Sequence, residues 1–304
     1  MTRQITNKIM MIRPASFGYN AQTAVNNSFQ SSPEDEDKTA IVQTAKSEFD
    51  DMVEKLRING IDVLVVEDSN EPLKPDAIFP NNWISFHDGN TLITYPMFAE
   101  NRRIERRQEI IEDFENTKGY DVRYKFEFYE EENLFLEGTG SMILDRTNKI
   151  VYACLSQRTD INILDKFCVL MGFRKIIFHA YDAEGELIYH TNVMMCVAKD
   201  FVVICMECIK SEDERQELLD SFESTNKEVI EISLNQVNQF AGNMLQVQNN
   251  ELKDFLVMSR SAYESLEAWQ IDKIKSFTNI LAIPIPTIEK YGGGSVRCMM
   301  AEIF

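Results

Sequence analysis

The chain repeats one order of predicted elements, and this repeat restricts its fold more than any other feature of the sequence. Each repeat begins with a β-hairpin, because a pair of polar turn residues between two apolar runs favours antiparallel pairing. The turn pairs are Asp88-Gly89, Thr147-Asn148, Lys199-Asp200 and Asn249-Asn250. The four predicted hairpins therefore cover residues 82–97, 141–155, 193–206 and 244–259.

A charged amphipathic helix and a short apolar strand follow each hairpin in the prediction. The first helix precedes the hairpins: Ser32-Pro33-Glu34 predicts its start, Asn59-Gly60 predicts its end, and a strand follows over 61–66. The predicted helix starts lie near Pro33, Asn101, Asp160, Ser211 and Ser261, at intervals of 68, 59, 51 and 50 residues. Such near-regular spacing indicates a repeat fold.

Four hairpins serve five helices, so a fifth pairing has to come from the two ends of the sequence. Residues 295–304 are strand-like and are predicted to pair with residues 8–13. The result is a five-bladed α/β propeller of hairpin-helix-strand repeats, a single domain over 1–304 closed by its first and last strands. By periodicity alone, an open α/β sheet with insertions fits equally well.

Charge and composition restrict the partners of the protein. The net charge of -18 repels phosphate backbones and anionic lipids, which disfavours nucleic acid and membrane partners but leaves a small zwitterionic substrate open. The sequence has neither a signal-peptide run at its start nor a stretch of roughly 20 apolar residues, so a cytoplasmic location is expected. Six scattered cysteines favour free thiols over a disulfide framework. Homo-oligomerisation is left open.

Similar phrases open the five predicted blades: FPNNWISF, FLEGTGSMIL, YHTNVMMCV, FAGNMLQV and GGGSVRCMMAEI. If the blades are equivalent, these phrases meet at one end of the axis and bring together Asn82, Glu137, His190, Asn243 and Cys298. A thiol, an imidazole and a carboxylate in one place form a nucleophilic unit. The glycines at 292–294 leave room for a substrate to approach the backbone beside the thiol.

Each of these residues also has an ordinary structural interpretation. Cys298 alone is more typical of a buried thiol, His190 of a satisfied core histidine and Glu137 of a surface carboxylate. Their joint placement favours the catalytic interpretation. Cys205 and Cys208 form a C-x-x-C inside an apolar run without a second pair at zinc-site spacing, so they are assigned to the core. We expect no metal and no organic cofactor.

The same phrases resemble the guanidine-modifying, or pentein, superfamily, whose fold is a five-bladed α/β propeller. The resemblance implies that Cys298, His190 and Glu137 are catalytic, through GGGSVRC, HTN and LEGTGS. It also implies a substrate-binding set whose Asp76 and Asn82 lie in PDAIFPNNW, whose Arg158 lies in LSQRT, and which includes either Arg102 or Arg103. Asn26 resembles an asparagine of arginine dihydrolases.

Two departures from the superfamily pattern bear on the substrate. Deiminases usually have aspartates where this chain has Asn82 and Asn192, so the counter-charges of a guanidinium are missing. A side-chain amide can donate to a ureido oxygen and accept from a ureido nitrogen. The overall resemblance is to citrulline-utilisation hydrolases, which implies conversion of citrulline to ornithine, ammonia and carbon dioxide.

Other functions fit the same resemblance. Arginine deiminase or dihydrolase activity is the first alternative and amidino transfer to an amine is the second. A catalytically silent binding protein for a ureido or cationic amino acid is a third, of a different class. In the catalytic interpretation, a neutral substrate leaves the imidazolium of His190 to stabilise the Cys298 thiolate, which predicts a bell-shaped pH profile.

Overall fold

The computed structural model describes residues 3–33 and 37–304 and shows a mixed α/β fold. Its strands form five separate three-stranded sheets in the described part of the chain. In each sheet the middle strand pairs antiparallel with one neighbour and parallel with the other. The same arrangement of three strands therefore occurs five times, as the repeat in the sequence predicts.

The strands run in this order within each sheet. The first sheet contains β15 (Ala301–Ile303), β1 (Lys8–Arg13) and β2 (Asp62–Glu67). The second contains β3 (Ile84–His87), β4 (Thr91–Thr94) and β5 (Asp121–Lys125), and the third contains β6 (Ile143–Asp145), β7 (Ile150–Cys154) and β8 (Arg174–Phe178). The fourth contains β9 (Met195–Val197), β10 (Phe201–Ile204) and β11 (Glu228–Glu231), and the fifth contains β12 (Leu245–Gln248), β13 (Asp254–Ser259) and β14 (Asn279–Ile283).

Helices connect the parallel strands, since a parallel pair needs a crossover rather than a tight turn. The crossover helices are α2 (Lys38–Ile58), α3 (Glu100–Arg103) with α4 (Gln108–Lys118), α6 (Ile161–Met171), α7 (Glu212–Ser224), and α9 (Arg260–Ser265) with α10 (Ala268–Lys275). The short helix α1 (Ala21–Ala24) precedes α2 in the first crossover, whereas α5 (Gly138–Ser141), α8 (Leu234–Val237) and α11 (Pro286–Gly292) lie outside the crossovers. No helix among the described residues is long and apolar enough to span a membrane.

The four predicted hairpins are confirmed, and so is the pairing of the two ends. β15 runs antiparallel to β1, with Lys8 opposite Ile303 and Met10 opposite Ala301. The last strand is shorter than predicted, because it begins at Ala301 and residues 295–300 form a buried loop with turns. The loop that contains Cys298 is therefore held by the strand that follows it.

Three of the predicted helix starts were wrong or incomplete. α2 begins at Lys38 with Asp37 as its N-cap, so the start near Pro33 was wrong, and Glu34 lies outside the described residues. The helix predicted from Asn101 is split into α3 and α4, and the helix predicted from Ser261 is split into α9 and α10. Asp160 and Ser211 cap α6 and α7 as predicted, because each side chain accepts a backbone N–H of the first turn.

Apolar side chains join neighbouring sheets into shared cores. Met10 of β1 packs in one cluster with Ile84 of β3, and Ile9 of β1 packs in another with Val247 of β12. The second sheet shares a cluster with the third, and the third shares one with the fourth and fifth. All six cysteines are free and buried, as expected for core thiols. These cores hold in place the segments that precede the first strand of each sheet.

Candidate active site

The candidate site is formed by the segments that lie just before the first strands of the five sheets. Short 3-10 turns at Pro80–Asn82 and Thr191–Val193 precede β3 and β9, and α5 precedes β6. Asn243 lies just before β12, and Cys298 lies three residues before β15. The structure thus brings together the residues that the repeated phrases place at equivalent positions.

A small buried cavity lies where these segments meet, and it leaves only about 20 Å³ for the centre of a water molecule. The residues around it are Thr23, Asn27, Gln30, Asp76, Phe79, Asn82, Arg102, Arg158, Tyr189, His190, Gly292, Gly293, Gly294 and Cys298. Thr23, Asn27 and Gln30 belong to one segment, residues 20–30, which covers the cavity.

Glu137 and His190 form a buried hydrogen-bonded pair beside this cavity. His190 Nε2 lies 2.7 Å from Glu137 Oε2, and neither side chain has more than 3% of its area exposed. Glu137 Oε1 accepts the backbone N–H of Phe98 at 2.9 Å, and Arg158 Nη1 lies 3.5 Å from Glu137 Oε2. Because an ionised carboxylate only accepts, Nε2 of the ring carries the proton, and Nδ1 is left as a base.

The surroundings of this pair lower both of its pKa values. Burial favours the neutral acid, but Arg158 and the hydrogen bond with His190 outweigh it, so the pKa of Glu137 falls to about 2. Burial also lowers the pKa of His190 to about 4, because desolvation of the imidazolium outweighs its attraction to Glu137. At neutral pH the pair is therefore a carboxylate and a neutral imidazole.

The low pKa of His190 predicts a loss of stability in acid. As pH falls from about 6.5 toward 4, His190 binds a proton in the unfolded chain but not in the native protein. This difference lowers the free energy of unfolding by roughly 3 kcal/mol. The pKa of Glu105, raised to about 7 by burial, acts in the opposite direction. Urea unfolding of wild type and His190→Asn at several pH values isolates the histidine contribution. Parallel curves for the two proteins between pH 6.5 and 4 would contradict it.

The sulfur of Cys298 contacts two side-chain amides. Asn243 Nδ2 lies 3.2 Å from Cys298 Sγ, and Asn192 Nδ2 lies 3.4 Å from it. The thiol is buried, and the loop before it is anchored by Ser295, whose hydroxyl donates to the buried carboxylate of Glu289. Asn192 therefore contacts the sulfur with its NH₂ group, and its side-chain oxygen has no hydrogen-bond partner among the described residues.

The buried guanidinium groups of Arg102 and Arg158 and the carboxylate of Asp76 lie at another part of the cavity wall. Arg102 forms a bidentate pair with Glu105, at 2.9 and 2.8 Å, and donates to Asn82 Oδ1 at 2.9 Å. Asp76 Oδ2 lies 3.7 Å from Arg102 Nε and accepts from Asn20 at 2.7 Å. Within the described part of the chain, the other oxygen of Asp76 has no hydrogen-bond partner.

Two of the predicted substrate ligands, Arg103 and Asn26, are not among the residues that line the small cavity. Arg103 does not face the cavity: its Nε donates to the carbonyl of Met97, and Glu130 lies 3.6 Å away. Arg102 is the residue of that doublet that points inward, because Glu105 binds it from the next turn. Asn26 lies behind Arg158, whose guanidinium donates to its side-chain oxygen, whereas Asn27 lines the cavity.

Sequence reasoning missed Asn27, Glu105 and Tyr189. The ring of Tyr189 stacks against the Arg158 guanidinium at 4.7 Å, and its hydroxyl donates to the carbonyl of Gly293 at 2.9 Å. The available signals were the aromatic residue just before His190 and the acidic residue three positions after Arg102. Neither pattern by itself distinguishes a cavity wall from an ordinary core or helix surface.

Gly138, next to Glu137, has a backbone conformation and surroundings that exclude a side chain. Its φ is +48°, and a Cβ there would lie 2.3 Å from the carbonyl oxygen of Asn81. Gly138→Ala is expected to lower the free energy of unfolding by about 3 kcal/mol or more. Gly89→Ala, with a similar φ of +74° but open space around it, is the matched control and should cost about 1 kcal/mol. Equal urea midpoints for the two variants would contradict the steric argument.

A larger cavity of about 420 Å³ lies next to the first. It shares Asn27 and Tyr189 with the small cavity and is otherwise lined by residues 24–29, 156–157 and 182–188 in part. Cys298, His190 and Glu137 are not among its lining residues. Cys298 and His190 line the smaller cavity, which is therefore the candidate active site.

Comparison with known proteins agrees with this arrangement. The sequence profile described as N,N dimethylarginine dimethylhydrolase, eukaryotic, matches residues 13–304, nearly the whole chain. The chain belongs to this family. The chain therefore lies within the guanidine-modifying superfamily. A search of curated protein sequences finds no match.

Solved structures share the fold of the family at low sequence identity. ArgZ, an arginine dihydrolase from the ornithine-ammonia cycle in cyanobacteria, aligns with a TM-score of 0.73 and 15% identity over 97% of this chain and 40% of its own. Unliganded AgrE aligns with a TM-score of 0.76 and 18% identity over 98% and 39%. A dimethylarginine dimethylaminohydrolase adduct with S-methyl-L-thiocitrulline aligns with a TM-score of 0.64 and 14% identity over 98% and 99%. The chain thus spans about two fifths of ArgZ and AgrE.

Proposed function

We propose that the protein is a cysteine-dependent hydrolase that attacks the ureido or guanidino carbon of a free amino acid, with citrulline as its substrate and ornithine, ammonia and carbon dioxide as products. The observation that carries the proposal is that Cys298 and His190 line one small cavity and that Glu137 is hydrogen-bonded to His190 beside it. A thiol, a base and a carboxylate that orients the base are the groups that covalent hydrolysis needs. We further propose that this chemistry takes place in the cytoplasm.

The proposal includes the architecture. We interpret the five sheets as the blades of a five-bladed propeller that forms one unit over residues 1–304. The shared clusters support a ring, since the first sheet packs against both the second and the fifth. In such a ring the segments that open the blades would meet on the axis, and Glu137, His190 and Cys298 belong to those segments.

Arg102, Arg158 and Asp76 provide the site for the amino-acid end of the substrate. A guanidinium binds a carboxylate through charge-assisted hydrogen bonds, and a carboxylate binds an ammonium group in the same way. Arg102 and Arg158 are both buried beside the cavity, and Asp76 has an oxygen without a partner among the described residues. This combination is complementary to an α-carboxylate and an α-ammonium group on one carbon.

Two asparagines provide matching groups for the ureido end. Among the described residues, Asn82 Nδ2 is a buried donor without a partner and Asn192 Oδ1 is a buried acceptor without a partner. Buried polar atoms are normally hydrogen-bonded, so an unpaired donor and an unpaired acceptor near a nucleophile point to a ligand that pairs with both. A ureido group has a carbonyl oxygen for the first and N–H groups for the second.

The proposed reaction has two stages. In the first, the proton of Cys298 passes to His190 Nδ1, sulfur bonds to the ureido carbon, and the ring returns the proton to the nitrogen that leaves as its bond to carbon breaks. In the second, His190 takes a proton from water, the hydroxide attacks the S-linked carbon, and sulfur leaves and takes the proton back from His190. The released carbamic acid then breaks its remaining carbon–nitrogen bond, which gives carbon dioxide and the second amine. Glu137 stabilises the imidazolium that forms in each stage.

The resting charge of His190 differs from the expectation based on the sequence. Because burial lowers its pKa to about 4, an imidazolium cannot be the resting partner of the Cys298 sulfur at neutral pH. The neutral ring suits its first task as a base, and the proton it accepts serves its later task as an acid. Charge on the sulfur therefore needs another source of stabilisation.

Arginine dihydrolase activity is the second candidate, and Asp76 is the observation that favours it. Its unpaired carboxylate oxygen faces the same small cavity and can accept from a guanidinium as well as from an ammonium group. ArgZ, whose fold resembles that of this chain, is an arginine dihydrolase. The two candidates differ in the charge of the group that reaches Cys298.

Substrate assays distinguish these candidates. Purified protein is incubated separately with citrulline, arginine, agmatine and dimethylarginine, with and without an amine acceptor, and products are identified by mass. We expect ornithine from citrulline, no turnover of agmatine because it lacks the carboxylate, and no adduct with the acceptor. Faster release of ornithine from arginine would favour the second candidate, and an amidino adduct would favour a transferase. Binding without turnover, with Cys298 resistant to alkylation, would indicate a silent binding protein.

A further inference from the structure

Asn243 contacts the sulfur of Cys298 but has no role in the reaction stages described above. It lies in the segment Gly242 to Met244, just before β12, and is buried. Its Nδ2 donates to Cys298 Sγ at 3.2 Å and to the carbonyl of Asn192 at 3.1 Å. Its Oδ1 accepts the backbone N–H of Arg297 at 3.0 Å. One amide thus contacts both the nucleophile and the residue before it.

These bonds fix which way the amide faces. If the side chain were flipped, its NH₂ group would meet the Arg297 N–H and its oxygen would meet the Asn192 carbonyl, which are two unfavourable contacts. The NH₂ group must therefore face the sulfur. Gly242 allows the approach, because a Cβ at that position would lie 2.3 Å from the carbonyl oxygen of Val193.

Asn192 supplies a second N–H donor to the same atom, at 3.4 Å. We propose that Asn243 is a catalytic residue that, together with Asn192, stabilises negative charge on Cys298 Sγ by donating two amide N–H groups to it. The proposal deepens the proposed function, since it takes Cys298 as the nucleophile. Both amides are neutral and buried, and the hydrogen bonds of Asn243 hold its NH₂ group toward the sulfur, so this donor does not have to reorient when the charge appears.

The charge on sulfur appears twice in the reaction. It forms first when the S–H proton moves to His190 Nδ1 and sulfur bonds to carbon. It forms again when the bond between sulfur and carbon breaks and sulfur leaves with the electron pair, before it regains a proton. A donor aimed at Sγ stabilises both events, because hydrogen bonds to a charged acceptor are stronger than those to a neutral one.

The test follows the rate of alkylation of Cys298 by iodoacetamide as a function of pH, read by mass spectrometry of the peptide that contains it. Asn243→Asp keeps an oxygen for the Arg297 N–H but replaces the donor with a negative charge. We expect the midpoint of the alkylation profile to rise by about one to two pH units, as loss of a hydrogen bond to a charged group implies. Asn243→Ala should raise it by about one unit.

Controls separate this effect from general damage to the fold. Asn250→Asp adds the same charge in an exposed turn and should leave the midpoint unchanged. Every variant retains the charged and titratable residues around the cavity, which are Asp76, Arg102, Arg158, Tyr189 and His190. A Cys298→Ala protein shows which part of the alkylation signal comes from Cys298. If Asn243 variants do not fold, Asn192→Ala, which removes the other donor, should raise the midpoint by about one unit.

Unchanged midpoints in the folded variants would overturn the inference, and so would a fall in alkylation rate that is the same at every pH, since that indicates only a structural role. The experiment needs no substrate. If the protein converts neither citrulline nor arginine but the midpoints shift, the proposed function fails. The stabilisation of the Cys298 thiolate by the two amides is then still supported. If conversion occurs and the midpoints do not shift, only the role of Asn243 is lost.

Discussion

Exchange of Cys298 for alanine is expected to reduce hydrolysis by at least about four orders of magnitude, since the variant has no atom that can form the covalent intermediate. Glu137→Gln is expected to cost about three to four orders of magnitude, because a neutral amide no longer supports the imidazolium beside it. The second variant retains the thiol and should still react with iodoacetamide. Steady-state product formation measures both losses.

Cys168 offers a matched control for the cysteine exchange. It is a buried thiol on α6, away from the candidate site, and its pKa is raised by burial to about 11. Cys168→Ala should keep the rate of product formation within a factor of about two. Loss of activity in this variant, or retained activity in Cys298→Ala, would show that another group is the nucleophile.

Asn82→Asp is expected to shift the preference between citrulline and arginine by on the order of 100-fold toward arginine. The aspartate can still accept from Arg102 with one oxygen, while the other replaces the unpaired Nδ2 and becomes a counter-charge for a guanidinium. A charge-assisted hydrogen bond replaces a neutral one, and the ureido oxygen loses its donor. The ratio of kcat/KM for the two substrates reports this change and cancels losses common to both.

The double exchange of Asn82 and Asn192 to aspartate separates binding from reactivity. The second aspartate adds counter-charge but removes a donor from the Cys298 sulfur, so the preference for arginine should rise further while kcat falls for both substrates. Asn250→Asp again serves as the surface control. The interpretation of the pocket is wrong if the wild type already prefers arginine, or if folded Asn82→Asp shows no change in the ratio.

The sequence predicted the fold well because turn residues and apolar periodicity are local signals. The four hairpins and the caps Asp160 and Ser211 were identified from short stretches of sequence. The start of α2 was misplaced because Ser32, Pro33 and Glu34 have the residue types of a helix start, whereas the observed cap is Asp37. A pattern of residue types does not by itself show which of two nearby candidates caps the helix.

The site was predicted less completely than the fold. The repeated phrases predicted that Glu137, His190 and Cys298 lie together. For pairs of identical neighbouring residues, however, the sequence did not show which of the two faces the cavity. Between Arg102 and Arg103, the inward residue is set by Glu105, and between Asn26 and Asn27 it is set by how an irregular segment covers the cavity. Such segments lack the fixed period that assigns faces on helices and strands, so a shift of one residue cannot be read from the sequence.

The pairing of β15 with β1 has a consequence for the order in which a working enzyme forms. Cys298 lies three residues before β15, and β15 is held by β1 at the other end of the described chain. Contacts between residues so distant in sequence are costly to form early in folding. A partly folded chain can therefore contain the carboxylate and the imidazole without a positioned nucleophile, and reactivity of the thiol appears only when the outermost strands have met.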